Sequence, residues 1–172
     1  MQDTAVDTFD DVLAANRDYA RDFAFGHVPA PAARGLALLT CMDSRLDPLR
    51  ALGLTIGDFK MLRNAGGRLT DDMRSDLVLA SHLLGVNRVL VMPHTRCAMS
   101  SGTDEDVAER IRTGSGIDPG SRRWHTIADQ RARLDRDVVA LRADQHLHPD
   151  VVVGGAVYDV DTGLIELVIP PA

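Results

Sequence analysis

Short apolar runs alternating with amphipathic stretches constrain this chain more than any other feature. The runs are LALLTC at 36–41, DFKMLRN at 58–64, RVLVMPH at 88–94, VVVGGAVYDV at 151–160 and LIELVIP at 164–170. Each is short for a helix, and all but DFKMLRN are rich in Val, Ile or Leu, as a buried strand is. Between them lie helical patterns. TDDMRSDLVLASHLLG at 70–85 has Thr70 to cap its start, Asp71 and Asp72 at the positive dipole end, and Gly85 to stop it. TDEDVAERIRTG at 103–114 opens on a Thr-x-x-Asp close to a capping box and is expected to close on Gly114. WHTIADQRARLDRDVVALRAD at 124–144 reads as one long helix with Ile127, Leu134, Val138 and Leu141 recurring. A short helix is expected in DPLRALGL at 47–54, with Pro48 in its first turn. Strands alternating with helices imply an α/β fold on a mainly parallel sheet. The last two runs, joined by the turn DTG, should form an antiparallel hairpin.

The 172 residues suit a single domain, 1–172. At the start, Phe9, Val12, Leu13, Tyr19 and Phe23 share one stripe of an amphipathic helix. The formal net charge of -6, with no basic run, argues against nucleic acid and anionic membranes as partners. No apolar stretch reaches the roughly 20 residues that cross a bilayer. The opening MQDTAVDTFDD lacks the basic and apolar regions of a secretory signal, so a cytoplasmic location is expected. Two cysteines, Cys41 and Cys97, are too few for a disulfide framework and are expected to be buried, metal-bound or catalytic.

Ligands of open parallel sheets bind beyond the carboxyl ends of the strands. Cys41 and His94 end two of the expected strands, and Cys97 follows His94 by one tight turn. If those strands are neighbours, two thiolates and an imidazole converge. This is a donor set for tetrahedral zinc with one position left open, the arrangement of a catalytic rather than a closed structural site. Asp43 and Arg45 sit just behind Cys41. The Asp43 carboxylate can reach the open position or accept a hydrogen bond from a hydroxide there, and Arg45 can draw it away through a bidentate pair. Alone, Cys41 could be a small buried hydrophobe, His94 a core histidine, and Asp43 with Arg45 a surface ion pair. Together they favour zinc.

Cys41-x-Asp43-x-Arg45 followed by His94-x-x-Cys97, with RNAGG at 63–67 between them, resembles the signature of the β-class carbonic anhydrases, in their short bacterial form. The resemblance implies four parallel strands plus one antiparallel strand flanked by helices. It implies zinc on Cys41, His94 and Cys97, with Asp43 as a fourth ligand in a closed state or held by Arg45 in an open one. It implies reversible hydration of carbon dioxide to bicarbonate and a proton through a zinc-bound hydroxide. It further implies a homodimer or dimer of dimers, with the N-terminal helix, residues 1–25, packing on a partner subunit. Some relatives with this zinc set hydrolyse carbonyl sulfide or carbon disulfide, and that remains an alternative, as does a non-catalytic zinc or thiol-redox protein. His27, His82, His125, His146 and His148 are candidate proton shuttles by type alone. Two positions depart from the family pattern: Ala98 stands where glycine is usual, and Arg96 precedes Cys97.

Overall fold

The computed structural model describes residues 8–172; the first seven residues of the expected N-terminal helix lie outside that range. Five strands form one sheet: β1 Leu36–Cys41, β2 Phe59–Asn64, β3 Arg88–Met92, β4 Val152–Tyr158 and β5 Ile165–Ile169. Their spatial order is β2-β1-β3-β4-β5. The first four run parallel, and β5 turns back antiparallel to β4. The helices are α1 Asp10–Arg21, α2 Pro48–Ala51, α3 Asp71–Leu83, α4 Asp104–Ser115 and α5 Gln130–Arg142. This is the mixed, mainly parallel architecture expected from the alternation.

The pleat sends alternate residues to opposite faces. Ala37, Leu39, Val89, Val91 and Val153 pack beneath Leu77 and Ala80 of α3 and Leu134, Val138 and Leu141 of α5. Leu38, Met92 and Ala156 face the other way, against Leu52, Phe59, Tyr158 and Ile165. A fully buried Leu such as Leu77 contributes roughly 1.5–3 kcal/mol relative to its exposed state. α1 behaves differently. None of its residues is buried, and Phe9, Val12, Leu13, Tyr19 and Phe23 are all exposed.

Several boundaries differ from the sequence-based expectation, each for a local reason. α4 passes Gly114 and ends at Ser115, where Gly116 takes a left-handed φ of 72° and donates its N–H to Arg112. The long helix expected from Trp124 starts only at Gln130, capped by Asp129. Upstream, Asp104 collects the backbone N–H groups of Trp124, His125 and Thr126, and His125 sits at φ 58°, so this stretch cannot be helical. Ile127 is buried, but outside the helix. β3 stops at Met92 because Pro93 has no N–H to give the ladder. His94 then makes one isolated parallel bridge to Tyr158, bracketed by bonds from Tyr158 N–H to Pro93 and from Thr95 N–H to Tyr158.

Candidate metal centre

β1 and β3 are direct neighbours, so their carboxyl ends deliver Cys41 and His94 to one place. A turn through Thr95 and Arg96 brings back Cys97, which leads into a 3₁₀ turn at Ala98–Ser100. The ligand atoms of Cys41, His94 and Cys97 all lie within 4.8 Å of one another, and all three residues are buried. Among the described residues no other group of metal-competent side chains converges in this way.

Three observations test whether the set fits zinc. The two sulfurs are 3.9 Å apart. Two thiolates on a tetrahedral zinc, each with a bond of about 2.3 Å, stand about 3.8 Å apart. His94 donates from Nδ1 to the Thr95 carbonyl at 2.9 Å, which fixes the tautomer and leaves Nε2 with its lone pair inward. That Nε2 is buried without a hydrogen-bond partner, an expensive arrangement unless a cation meets it. The electrostatics agree. The Cys97 contact holds the Cys41 thiol well below its usual range; burial opposes this, while His94 and the Gly66 N–H assist it. Burial disfavours the His94 imidazolium, yet the Cys41 thiolate more than offsets this and raises its pKa. The Cys41 shift reflects donors that stabilise its thiolate, and the His94 shift reflects the negative charge of that thiolate, which a cation would neutralise. The residues fit the ion.

The glycine turn after β2 supplies the thiolate's other partner. Gly66 donates its N–H to Cys41 Sγ at 3.3 Å. Gly67 adopts φ 62°, and a Cβ there would stand 2.9 Å from the Cys41 nitrogen, so a side chain is excluded on both counts.

Asp43 lies at the rim, its Oδ2 3.7 Å from His94 Nε2. Arg45 holds it with three donors: its own N–H and Nε reach Oδ1 at 2.9 Å each, and a terminal nitrogen reaches Oδ2 at 2.7 Å. This pair holds the Asp43 carboxyl well below the usual carboxylate range. The same Arg45 terminal nitrogen donates to the Arg96 carbonyl at 3.1 Å. Arg96 is itself left-handed, at φ 52°, and its guanidinium pairs with Asp161 at 2.9 Å. Ala98 needs no positive φ, because it opens the 3₁₀ turn. The wall beside the two cysteines is apolar: Leu46, Met99, Tyr158 and Val160.

All five site residues expected from sequence thus meet in one place. The candidate shuttle histidines do not. His27, His82, His125 and His146 are exposed. His82 and His148 meet with ring centroids 5.3 Å apart and planes tilted by 60°, and His148 lines a cavity with Arg88 and Val152, the first residues of β3 and β4. That is the opposite end of the sheet. Sequence reasoning missed Gln130, whose amide donates to the His94 carbonyl at 2.9 Å and which had no signal beyond being polar. Arg63 opens the RNAGG stretch noted in the sequence, where it was given no role of its own; it donates to carbonyls at the end of β1.

A family model described as carbonic anhydrase matches residues 36–137. Beta-carbonic anhydrase 1 of Mycobacterium tuberculosis is 36% identical over 167 residues, covering 94% of this chain and 98% of that protein. The chain belongs to the β-carbonic anhydrase family. The crystal structure of a carbonic anhydrase from Streptococcus mutans matches this family member with a TM-score of 0.84 at 35% identity, covering 93% of this chain and 96% of that one. Carbon disulfide hydrolase of an Acidianus strain is 31% identical over 166 residues, covering 82% of this chain and 81% of that protein.

Proposed function

We propose that this β-carbonic anhydrase family member catalyses the reversible hydration of carbon dioxide to bicarbonate and a proton, with zinc held by Cys41, His94 and Cys97 and with Asp43 and Arg45 as catalytic residues. The carrying observation is the orphaned His94 Nε2 facing two thiols, with a carboxylate held back 3.7 Å away. Zinc, when bound there, is a Lewis acid that acidifies a water so that a nucleophile is available near neutral pH. Asp43 accepts a hydrogen bond from that nucleophile at Oδ2 and orients its lone pair toward the substrate. Arg45, bound to both carboxylate oxygens, would keep Asp43 off the zinc that Cys41, His94 and Cys97 would hold. Leu46, Met99 and Val160 offer an apolar, water-poor wall, which suits a small substrate without a dipole.

Residues 1–172 are read as a single domain, with the N-terminal helix α1, Asp10–Arg21 rather than the whole of the expected 1–25, packing on a partner subunit in a homodimer or dimer of dimers. The exposed Val12, Leu13 and Tyr19 of α1, with Phe9 and Phe23 flanking it, support this, since such a surface is normally covered. A cytoplasmic location goes with the same reading; among the described residues no helix is long and apolar enough to cross a membrane. Hydrolysis of carbon disulfide or carbonyl sulfide is the second reading, favoured by the carbon disulfide hydrolases among the relatives. The mycobacterial relative, 36% identical over 167 residues and covered almost end to end, favours the first. Stopped-flow hydration of carbon dioxide, run beside carbonyl sulfide hydrolysis on protein of measured zinc content, separates them. About one zinc per chain and fast carbon dioxide turnover are expected. A far higher efficiency on the sulfur substrate would reverse the order, and zinc-free activity would end both readings.

A further inference from the structure

The zinc ligands and the Asp43–Arg45 pair leave one cation near the site unexplained. Arg63 lies on β2 and pairs in register with Thr40 of β1. Among the described residues it forms no ion pair with any carboxylate. Its guanidinium instead serves main-chain carbonyls on the neighbouring strand: Nε donates to Cys41 at 2.8 Å, one terminal nitrogen to Asp43 at 2.7 Å, and the other points at Leu46 at 3.5 Å. These are the carbonyls that the sheet abandons. The last β1–β2 ladder contact is Met42 N–H to Asn64, and beyond it the chain turns, with Leu46 N–H donating to the Asp43 carbonyl at 3.1 Å. Backbone carbonyls leaving a sheet need donors, and one half-buried arginine meets this need for the first ligand and for the carboxylate residue together.

We infer that Arg63 is a positioning residue for the reaction: by clamping the main-chain carbonyls of Cys41 and Asp43 it fixes the backbone about which the Asp43 carboxylate moves between Arg45 and the metal. Asp43 is held at both ends by different arginines, its carboxylate by Arg45 and its carbonyl by Arg63. Its motion is therefore confined to its own side-chain torsions. Without Arg63 the loop from Met42 to Leu46 loses its anchor, and the carboxylate loses the orientation that aims the nucleophile. The inference rests on the functional reading above.

The test is Arg63→Gln beside Arg63→Lys, which keeps the charge and can reach one carbonyl. Arg63→Gln is expected to bind one zinc per chain, lower kcat about tenfold with KM within about twofold, and speed hydrogen exchange of the Leu46 amide about tenfold, with Arg63→Lys recovering part of each. In an Asp43→Asn background the further loss in kcat from Arg63→Gln should fall below about twofold, because the residue acts through Asp43. An unchanged kcat, an equal loss in the Asp43→Asn background, or loss of zinc overturns the inference. If Arg63→Gln does not fold, Arg63→Lys in the two backgrounds decides by the same coupling. A parent protein that holds zinc yet does not hydrate carbon dioxide would defeat the functional reading instead, and the Leu46 exchange rate still reads the clamp.

Discussion

Replacing Arg45 with alanine probes the gate directly. It removes two side-chain donors from Asp43, the Nε–Oδ1 bond at 2.9 Å and the terminal N–Oδ2 bond at 2.7 Å, and one donor from the Arg96 carbonyl. A charge-assisted hydrogen bond contributes roughly 1.5–3 kcal/mol in protected settings, and an exposed ion pair roughly 0–1. Here the arginine side chain is 42% exposed and the aspartate 16%, so solvent screening removes much of the larger figure. A net of about 1–2 kcal/mol follows, a factor of roughly 5–30 in a two-state equilibrium. Released, the carboxylate already stands 3.7 Å from His94 Nε2 and needs only a side-chain rotation to compete for the metal. Arg45→Ala is therefore expected to keep one zinc per chain and lose roughly five- to thirtyfold in kcat near neutral pH. Stopped-flow hydration with parallel metal analysis measures both. A kcat within twofold of the parent at full zinc content would refute the idea that Arg45 restrains Asp43.

Three further outcomes follow from the same geometry. Asp43→Asn should retain zinc and lose turnover by roughly a hundredfold, the scale of a misaligned reacting group; full activity would remove its orienting role. Cys41→Ser should lose both zinc and activity, because a thiolate and the Gly66 N–H···S contact go together; one zinc per chain in the variant would contradict this. Asp104, held by the Thr126 N–H above all, has its carboxyl lowered from 3.8 to about 2. The folded state thus binds that proton less readily than the unfolded state. The stability this contributes is present above about pH 4 and is lost as pH falls through about 2. Asp104→Asn should be less stable at neutral pH and flatter in thermal midpoint across that window; parallel curves for parent and variant would count against the clamp.

Much of the fold was legible because burial and periodicity are local. LALLTC and RVLVM could hardly be anything but inner strands, and Thr70, Thr103 and Gly85 mark helix ends through bonds made within a few residues. The errors arose where a distant group outbid the local pattern. Asp104, 20 residues upstream in the chain, draws in the Trp124 N–H and delays α5 to Gln130. At Gly114 the residue type suggested a stop, but the helix runs one residue further and closes where Gly116 donates to Arg112.

The sequence by itself singled out the candidate residues Cys41, His94, Cys97, Asp43 and Arg45, through their spacing within two short segments at the ends of expected strands. Only the tertiary structure decided what surrounds them. The β1–β3 pairing sets the sulfurs 3.9 Å apart, and the β1–β2 register puts Arg63 over the carbonyls of Cys41 and Asp43. The physical reason is that ligand chemistry resides in the side chains themselves. The hydrogen bonds that aim them run mostly to backbone atoms, which every residue carries and no sequence distinguishes.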